Sequence, residues 1–216
     1  MDEVAPGVFV ATAELYTTTT TIVAGADGGC LVIDPAVTVA DLAALASWLS
    51  ARRLRPAVGW STHPHWDHLL WSRVLGEVIR YGTPRAVAVA ARRRSALAGE
   101  AAEMAPGHGA VFLPATGVLV AGDMCSDAEI PLLDRDAADP FGGYRHGLGV
   151  LAGLPGVRVV VPGHGRPGDA AEFRRRVAAD FGYLDAVEAG REPADPRLAA
   201  SWLRTEHDRQ RALLLE

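Results

Sequence analysis

The chain contains no lysine and no asparagine, and all 21 of its basic residues are arginine. Codons for both missing residues are AT-rich, so the absence points to a GC-rich genome rather than to a structural demand. Cysteine is scarce: Cys30 and Cys125 are too few for a disulfide framework. Cys30 opens an apolar run and is expected to be buried. Cys125 lies two residues after Asp123 and is expected as a neighbour of that carboxylate. No second catalytic machinery accompanies it to make it a nucleophile. No uninterrupted apolar run approaches the ~20 residues of a membrane span. The opening Met1-Asp2-Glu3-Val4-Ala5-Pro6 has no basic region followed by an apolar one. A cytoplasmic protein with no membrane partner is therefore expected. Nor is positive charge in excess. The net charge is −5 and the pI about 5.8, so no polyanion, and no nucleic acid, is expected as a bulk partner.

What is present suits a packed globular chain: 49% hydrophobic and 22% charged residues over 216 positions, expected as one domain spanning 1–216. The basic runs Arg92-Arg93-Arg94 and Arg174-Arg175-Arg176 are read as solvated helix faces. No linker or low-complexity segment divides the chain. The five threonines Thr17 to Thr21 fit a strand.

β-Branched runs predict strands over Val8–Thr12, Thr17–Ala24 and Cys30–Asp34, with Asp27-Gly28-Gly29 as a hairpin turn. Thr38–Arg53 is predicted as a helix that buries Val39, Leu42, Leu45, Ala46 and Leu49. A strand over Ala57–Thr62, a helix over Asp67–Arg80, a strand over Arg85–Ala90 and a helix over Ala91–Glu103 follow. The second half predicts a hairpin of Ala110–Leu113 and Val118–Ala121, and then a helix over Tyr144–Leu154. A strand over Val157–Val161, a helix over Asp169–Glu188 and a terminal helix over about 196–215 complete it. This order favours an α/β fold with sheets covered by helices.

Five of the seven histidines fall into one pattern. His63-Pro64-His65-Trp66-Asp67-His68 packs four potential metal ligands into six residues, and His108, Asp123 and His164 follow at strand ends or in Gly-rich turns. Imidazole and carboxylate together suit zinc, iron or manganese. Pro64 makes His63 extended, so the motif is read as a loop. In an extended backbone His63 and His65 point the same way and can chelate one ion, leaving Asp67 and His68 for another. A carboxylate can bridge two ions, which makes Asp123 the natural bridge. His146 and His207 are read as surface residues.

At these residues the chain resembles the metallo-β-lactamase superfamily. The resemblance runs from about Val4 to Glu188 and rests on His-x-His-x-Asp-His at 63–68, Pro106-Gly107-His108, Gly122-Asp123, Gly163-His164-Gly165 and the strand-ending Asp34. It implies a four-layer αββα sandwich with a site at one edge of the two sheets. It implies a first metal on His63, His65 and His108, and a second on Asp67, His68 and His164. Asp123 would bridge, Asp67 and Asp123 would be the catalytic carboxylates, and Asp34 would orient the ligand loop by hydrogen bonds. The segment 69–107 is short for this pattern, as if a strand pair were missing from a shortened first half. His108 is therefore expected to be displaced or carried on a loop, and His164 to be well placed.

The resemblance implies a metallo-hydrolase in which two divalent ions, most simply Zn²⁺ with Fe or Mn as alternatives, generate hydroxide near neutral pH. The substrate is expected to be a small ester, thioester or lactone, and an anionic one suits a site about +2 in charge. Two other classes compete. One is an iron-dependent oxidoreductase, either a sulfur dioxygenase or an electron carrier with a flavin partner. The other is a catalytically weak metal-binding scaffold.

Overall fold

The computed structural model describes residues 1–92, 108–134 and 137–212. The first half builds a six-stranded sheet whose spatial order follows the chain: β1 (Asp2–Ala5), β2 (Val8–Thr12), β3 (Thr19–Ala24), β4 (Gly29–Ile33), β5 (Arg55–Trp60) and β6 (Ile79–Tyr81). Strands β1 to β4 pair antiparallel, whereas β5 runs parallel to β4 and β6 parallel to β5. The β3–β4 turn forms where the sequence predicts it. Gly28 takes φ +78°, and the Asp27 carboxylate accepts from Gly29 N at 2.9 Å.

Helix α1 (Val39–Ala51) starts at Thr38, whose hydroxyl oxygen accepts from Asp41 N at 3.0 Å. It packs Leu42, Leu45 and Leu49 on Ile22, Cys30 and Val32 of the first sheet. Val39, predicted on that stripe, is the first helical residue and is 85% exposed. The buried stripe begins one turn later, where the helix meets the sheet.

Two predicted elements are corrected. In place of a helix over Asp67–Arg80 there is one turn, α2 (Trp66–Leu69), then extended Leu70 and a 3₁₀ turn over Arg73–Leu75. Ser72 caps that turn, and Gly76 at φ +81° ends it, with the Trp71 indole donating to the Gly76 carbonyl at 2.8 Å. In place of a strand over Arg85–Ala90 there is helix α3 (Pro84–Arg92). Thr83 accepts from Ala86 N at 3.1 Å, and Pro84 fits a first helical position. Ala86 and Val89 are buried while Val87 is exposed, which is helical spacing and not alternation. The helix predicted through Glu103 and the residues past Ala212 fall mostly outside the described residues.

The second sheet has the order β10-β9-β8-β7, from β7 (Val111–Leu113), β8 (Val118–Val120), β9 (Val159–Val161) and β10 (Gly168–Asp169). Here β8 and β9 are parallel, with helix α4 (Pro140–Ala152) between them in the chain. Helix α5 (Ala170–Glu188) follows β10, capped by Asp169, and α6 (Ser201–Ala212) comes last. Extended Ala200 separates α6 from a 3₁₀ turn at Pro196–Ala199, so the predicted terminal helix is divided.

Alternation along the strands sets the layers. Val118, Val120 and Val161 turn inward against Val8, Val10 and Ile33, forming a core between the two sheets. Leu119 and Val160 turn outward against Leu148 and Leu151 of α4 and Phe173 of α5. With α1 on the far side of the first sheet, the result is the αββα sandwich. Leu119 is fully buried, so Leu119→Ala should lower unfolding free energy by about 3 kcal/mol in a denaturant titration.

Two smaller expectations change. His207 is buried, not superficial: α6 turns Leu203, His207 and Gln210 inward, and His207 Nδ1 lies 3.1 Å from the Tyr183 hydroxyl. His146 is exposed, as expected, and lies on α4. Arg174 and Arg175 are solvated, but Arg176 is buried and donates to the Arg166 carbonyl at 2.9 Å. No helix among the described residues is long and apolar enough to cross a membrane.

Candidate metal centre

The polar residues gather where parallel strands end. Asp34 follows β4, Thr62 and His63 follow β5, Asp123 follows β8, and His164 follows β9. Carboxyl ends of parallel strands are where open α/β sheets present their chemistry. His65 is extended (φ −75°, ψ 149°) and precedes α2, which carries Asp67 and His68. The motif is thus part loop and part helical turn. The two sheets are tied together at this edge. Thr19 N donates to the Gly163 carbonyl at 2.7 Å, and Gly165 N to the Thr17 carbonyl at 3.0 Å.

Asp34 organises the ligand loop. It sits at φ +47°, a left-handed conformation that Asp tolerates better than most residues. Its carboxylate accepts from Thr62 N at 2.9 Å and from the Thr62 hydroxyl at 2.6 Å. His68 Nδ1 lies 2.9 Å from the same carboxylate. Because the Thr62 hydroxyl donates to Asp34, its oxygen is left to accept from His63 Nδ1, 3.0 Å away. His164 Nδ1 donates to the Tyr16 carbonyl at 2.8 Å. All three rings, when neutral, therefore carry the proton on Nδ1 and turn an Nε2 lone pair into the site.

Those lone pairs converge. His68 Nε2 and His164 Nε2 are 3.1 Å apart, and His63 Nε2 is 2.8 Å from His65 Nδ1. The facing lone pairs of neutral His68 and His164 repel unless a cation lies between them. Asp123 stands between the two pairs: Oδ2 is 2.9 Å from His63 Nε2 and 3.6 Å from His65 Nδ1. Its Oδ1 is 3.4 Å from His68 Nε2 and 3.6 Å from His164 Nε2, and is buried with no hydrogen-bond partner. Asp67 Oδ2 closes the second group, 3.5 Å from His68 Nε2 and 3.3 Å from His164 Nε2. Ligand atoms of His63, His68 and Asp123, and of Asp67, His68 and His164, lie mutually within 4.8 Å. The donor set and the orphaned Asp123 oxygen fit divalent ions.

Electrostatics express the same demand. Burial alone would lower His68, but Asp123, Asp34 and Asp67 outweigh it and push the imidazole up to about 9. His164 is likewise depressed by burial yet raised to about 11 by Asp123, Asp67 and Glu129. Burial drives His63 well below the ordinary imidazole range and His108 down to about 4. For Asp123, desolvation is overcome by His63, His68 and His164, which hold it well below the usual carboxylate range.

His108 lies on the loop ahead of β7, where Gly109 N donates to the Thr62 carbonyl at 2.7 Å. Its ring is not displaced from the cluster. It stacks on His63 with centroids 4.3 Å apart. Of the segment 69–107, from which a strand pair was expected to be missing, residues 69–92 are described and 93–107 lie outside the described residues. Cys125 turns away from the site into the core under α4 and α5, at φ +56°, and burial pushes its thiol up. It is not a neighbour facing the ligands. Cys30 is buried as expected.

Sequence reasoning missed Thr62, Tyr16, Ser126 and Glu129. Thr62 precedes the motif directly and could have been suspected. The others act through contacts distant in sequence: Ser126 donates to the His164 carbonyl at 2.7 Å, and Glu129 Oε1 lies 3.8 Å from His164 Nδ1.

No family model matches the sequence, and no curated protein is similar enough to match it. Solved structures do match. The DIM-1 metallo-beta-lactamase superposes with a TM-score of 0.64 at 17% identity, over 82% of this chain and 94% of that one. A beta-lactamase domain protein from Burkholderia ambifaria gives 0.62 at 20% identity, over 87% and 74%. A metallo-beta-lactamase family protein from Thermus thermophilus gives 0.61 at 23%, over 87% and 82%. With two facing sheets, helices outside them and the ligand cluster at their shared edge, the chain has the metallo-β-lactamase fold.

Proposed function

We propose that the protein is a metal-dependent hydrolase acting on a small ester, thioester or lactone. The observation that carries this reading is the division of Asp123 between two ligand groups, one oxygen toward His63 and His65 and the other toward His68 and His164. His63, His65 and His108 would hold one ion, and Asp67, His68 and His164 the other. Bound divalent ions would supply hydroxide near neutral pH and polarise the carbonyl under attack.

The chain's own residues prepare that chemistry. Asp34 fixes the proton on the outer nitrogen of His68 directly and of His63 through Thr62. The Tyr16 carbonyl does the same for His164. With those three tautomers set, none of these three rings has to reorganise to bind an ion. Two divalent ions against Asp67 and Asp123 leave a net positive site, which favours a substrate bearing an anionic group.

Protein purified without chelator should carry about two divalent ions per chain, as a two-site ligand set requires. It should turn over members of an ester and thioester panel, and chelation should abolish that turnover. Elemental analysis showing no bound transition metal, even after reconstitution, would sink the reading.

A further inference from the structure

Glu129 is a buried acidic side chain that no motif marks. The residue is 8% exposed. The nearest cationic group, His164 Nδ1 at 3.8 Å, is already committed to the Tyr16 carbonyl at 2.8 Å. A free surface loop would turn such a carboxylate to water. This loop is fastened, and it holds the carboxylate beside Asp123 and His164. The Ser126 hydroxyl accepts from Ala128 N and Glu129 N, each at 2.9 Å, and donates to the His164 carbonyl at 2.7 Å. Arg197 donates to the Ser126 carbonyl at 3.0 Å and to the Glu129 carbonyl at 2.7 Å, and pairs with buried Asp180 at 2.7 Å. Asp127 accepts from Arg166 N at 2.9 Å, which binds the loop to the segment carrying His164. Ligand atoms of Asp123, Glu129 and His164 lie mutually within 4.8 Å, and Asp123 Oδ1 is buried with no hydrogen-bond partner.

We propose that Glu129 is a further carboxylate ligand of the ion held by Asp67, His68 and His164, and that it sets which metal that position prefers. The inference rests on the metal-dependent reading above. With Asp67, Asp123 and Glu129 beside only two imidazoles, the donors on this side are mostly oxygen. Carboxylates suit manganese, whereas imidazole suits zinc and iron, and raw affinity rises from manganese through iron toward zinc and copper. Only a site with more and harder donors holds manganese against zinc. The opposite side, with His63, His65 and His108, is rich in nitrogen. The centre is thus asymmetric: a zinc-type position and a position that accepts Mn²⁺ or Fe²⁺.

The test uses the full chain, stripped of metal and titrated with Mn²⁺ and Zn²⁺ separately and in competition. Bound Mn²⁺ is read by electron paramagnetic resonance and total metal by elemental analysis. E129Q keeps the shape of the side chain and removes its charge. It should lose at least ~10-fold in Mn²⁺ affinity at one position, with Zn²⁺ binding at the other unchanged. E129D keeps the charge but shortens the reach, and should also lose Mn²⁺, which covers the case in which E129Q does not fold. Variants with wild-type Mn²⁺ affinity and resonance spectrum would overturn the proposal and leave the hydrolase reading standing. Wild-type protein that binds neither metal would overturn both.

Discussion

Asp123→Ala is expected to abolish both hydrolysis and the retention of metal, while the apo chain keeps its fold. Asp123 stands between the two ligand sets, at 2.9 Å from His63 and 3.4 Å from His68 through different oxygens. Removing a residue that merely supports a ligand lowers metal affinity by about 10–100-fold, and a shared ligand should cost at least ~100-fold. Folding should survive, because the side chain packs into no apolar core and its backbone neighbours are held independently. Ala121 N donates to the Val161 carbonyl at 2.9 Å, and the Gly122 carbonyl accepts from Gly163 N at 2.6 Å. Without metal, the variant removes a carboxylate from among imidazoles and leaves the sheets untouched. Equilibrium dialysis and kcat, each beside a thermal melt of the apo proteins, separate these effects. Unchanged metal content with unchanged kcat would reduce Asp123 to an ordinary strand-end residue.

The parts of the site that can be read in the sequence are those where one short segment states its own chemistry. Residues 63–68 do so by spacing alone. Asp123 and His164 do so because each follows an apolar strand, and a polar residue immediately after a buried strand stands at the sheet edge. The αββα layering is what the family resemblance implies rather than what local pattern states, and the structure has it: adjacent Leu119 and Val120 are both buried because both faces of β8 are covered. Elsewhere local pattern misleads. Leu69 to Leu75 has helical apolar spacing, yet Ser72 and Gly76 impose a turn. Arg85 to Ala90 alternates in composition, yet Thr83 and Pro84 start a helix there. Glu129 is the deepest omission. Ser126-Asp127-Ala128-Glu129 reads as a polar surface loop, and only Arg197, distant in sequence, and the Ser126 bond to His164 turn it inward.

Gly163→Ala should damage the site through shape alone. Residue 163 ligates nothing, so neither charge nor donor count changes. A Cβ there would lie 2.1 Å from Asp123 Oδ1 and 3.0 Å from His68 Cε1, both far inside contact distance. Neither neighbour is free to give way. His68 is held by Asp34 at 2.9 Å, and Asp123 Oδ2 faces His63 at 2.9 Å. The backbone cannot retreat either, because Gly163 N bonds the Gly122 carbonyl at 2.6 Å and its own carbonyl accepts from Thr19 N at 2.7 Å. Overpacking of this kind costs about 1–3 kcal/mol, and the strain falls on the oxygen that faces His68 and His164. The melting temperature of the apo protein should therefore drop, and metal retention should fall further than the loss of stability accounts for. Gly182→Ala is the matched control. Gly182 lies inside α5 with nothing within 4 Å of its added Cβ, so alanine should raise stability by about 1 kcal/mol and leave metal content alone. Calorimetry of the apo proteins and elemental analysis of the reconstituted ones read both quantities. Gly163→Ala with wild-type metal content and melting temperature would mean that Asp123 and His68 move freely, and the rigid, preset arrangement of this site would be wrong.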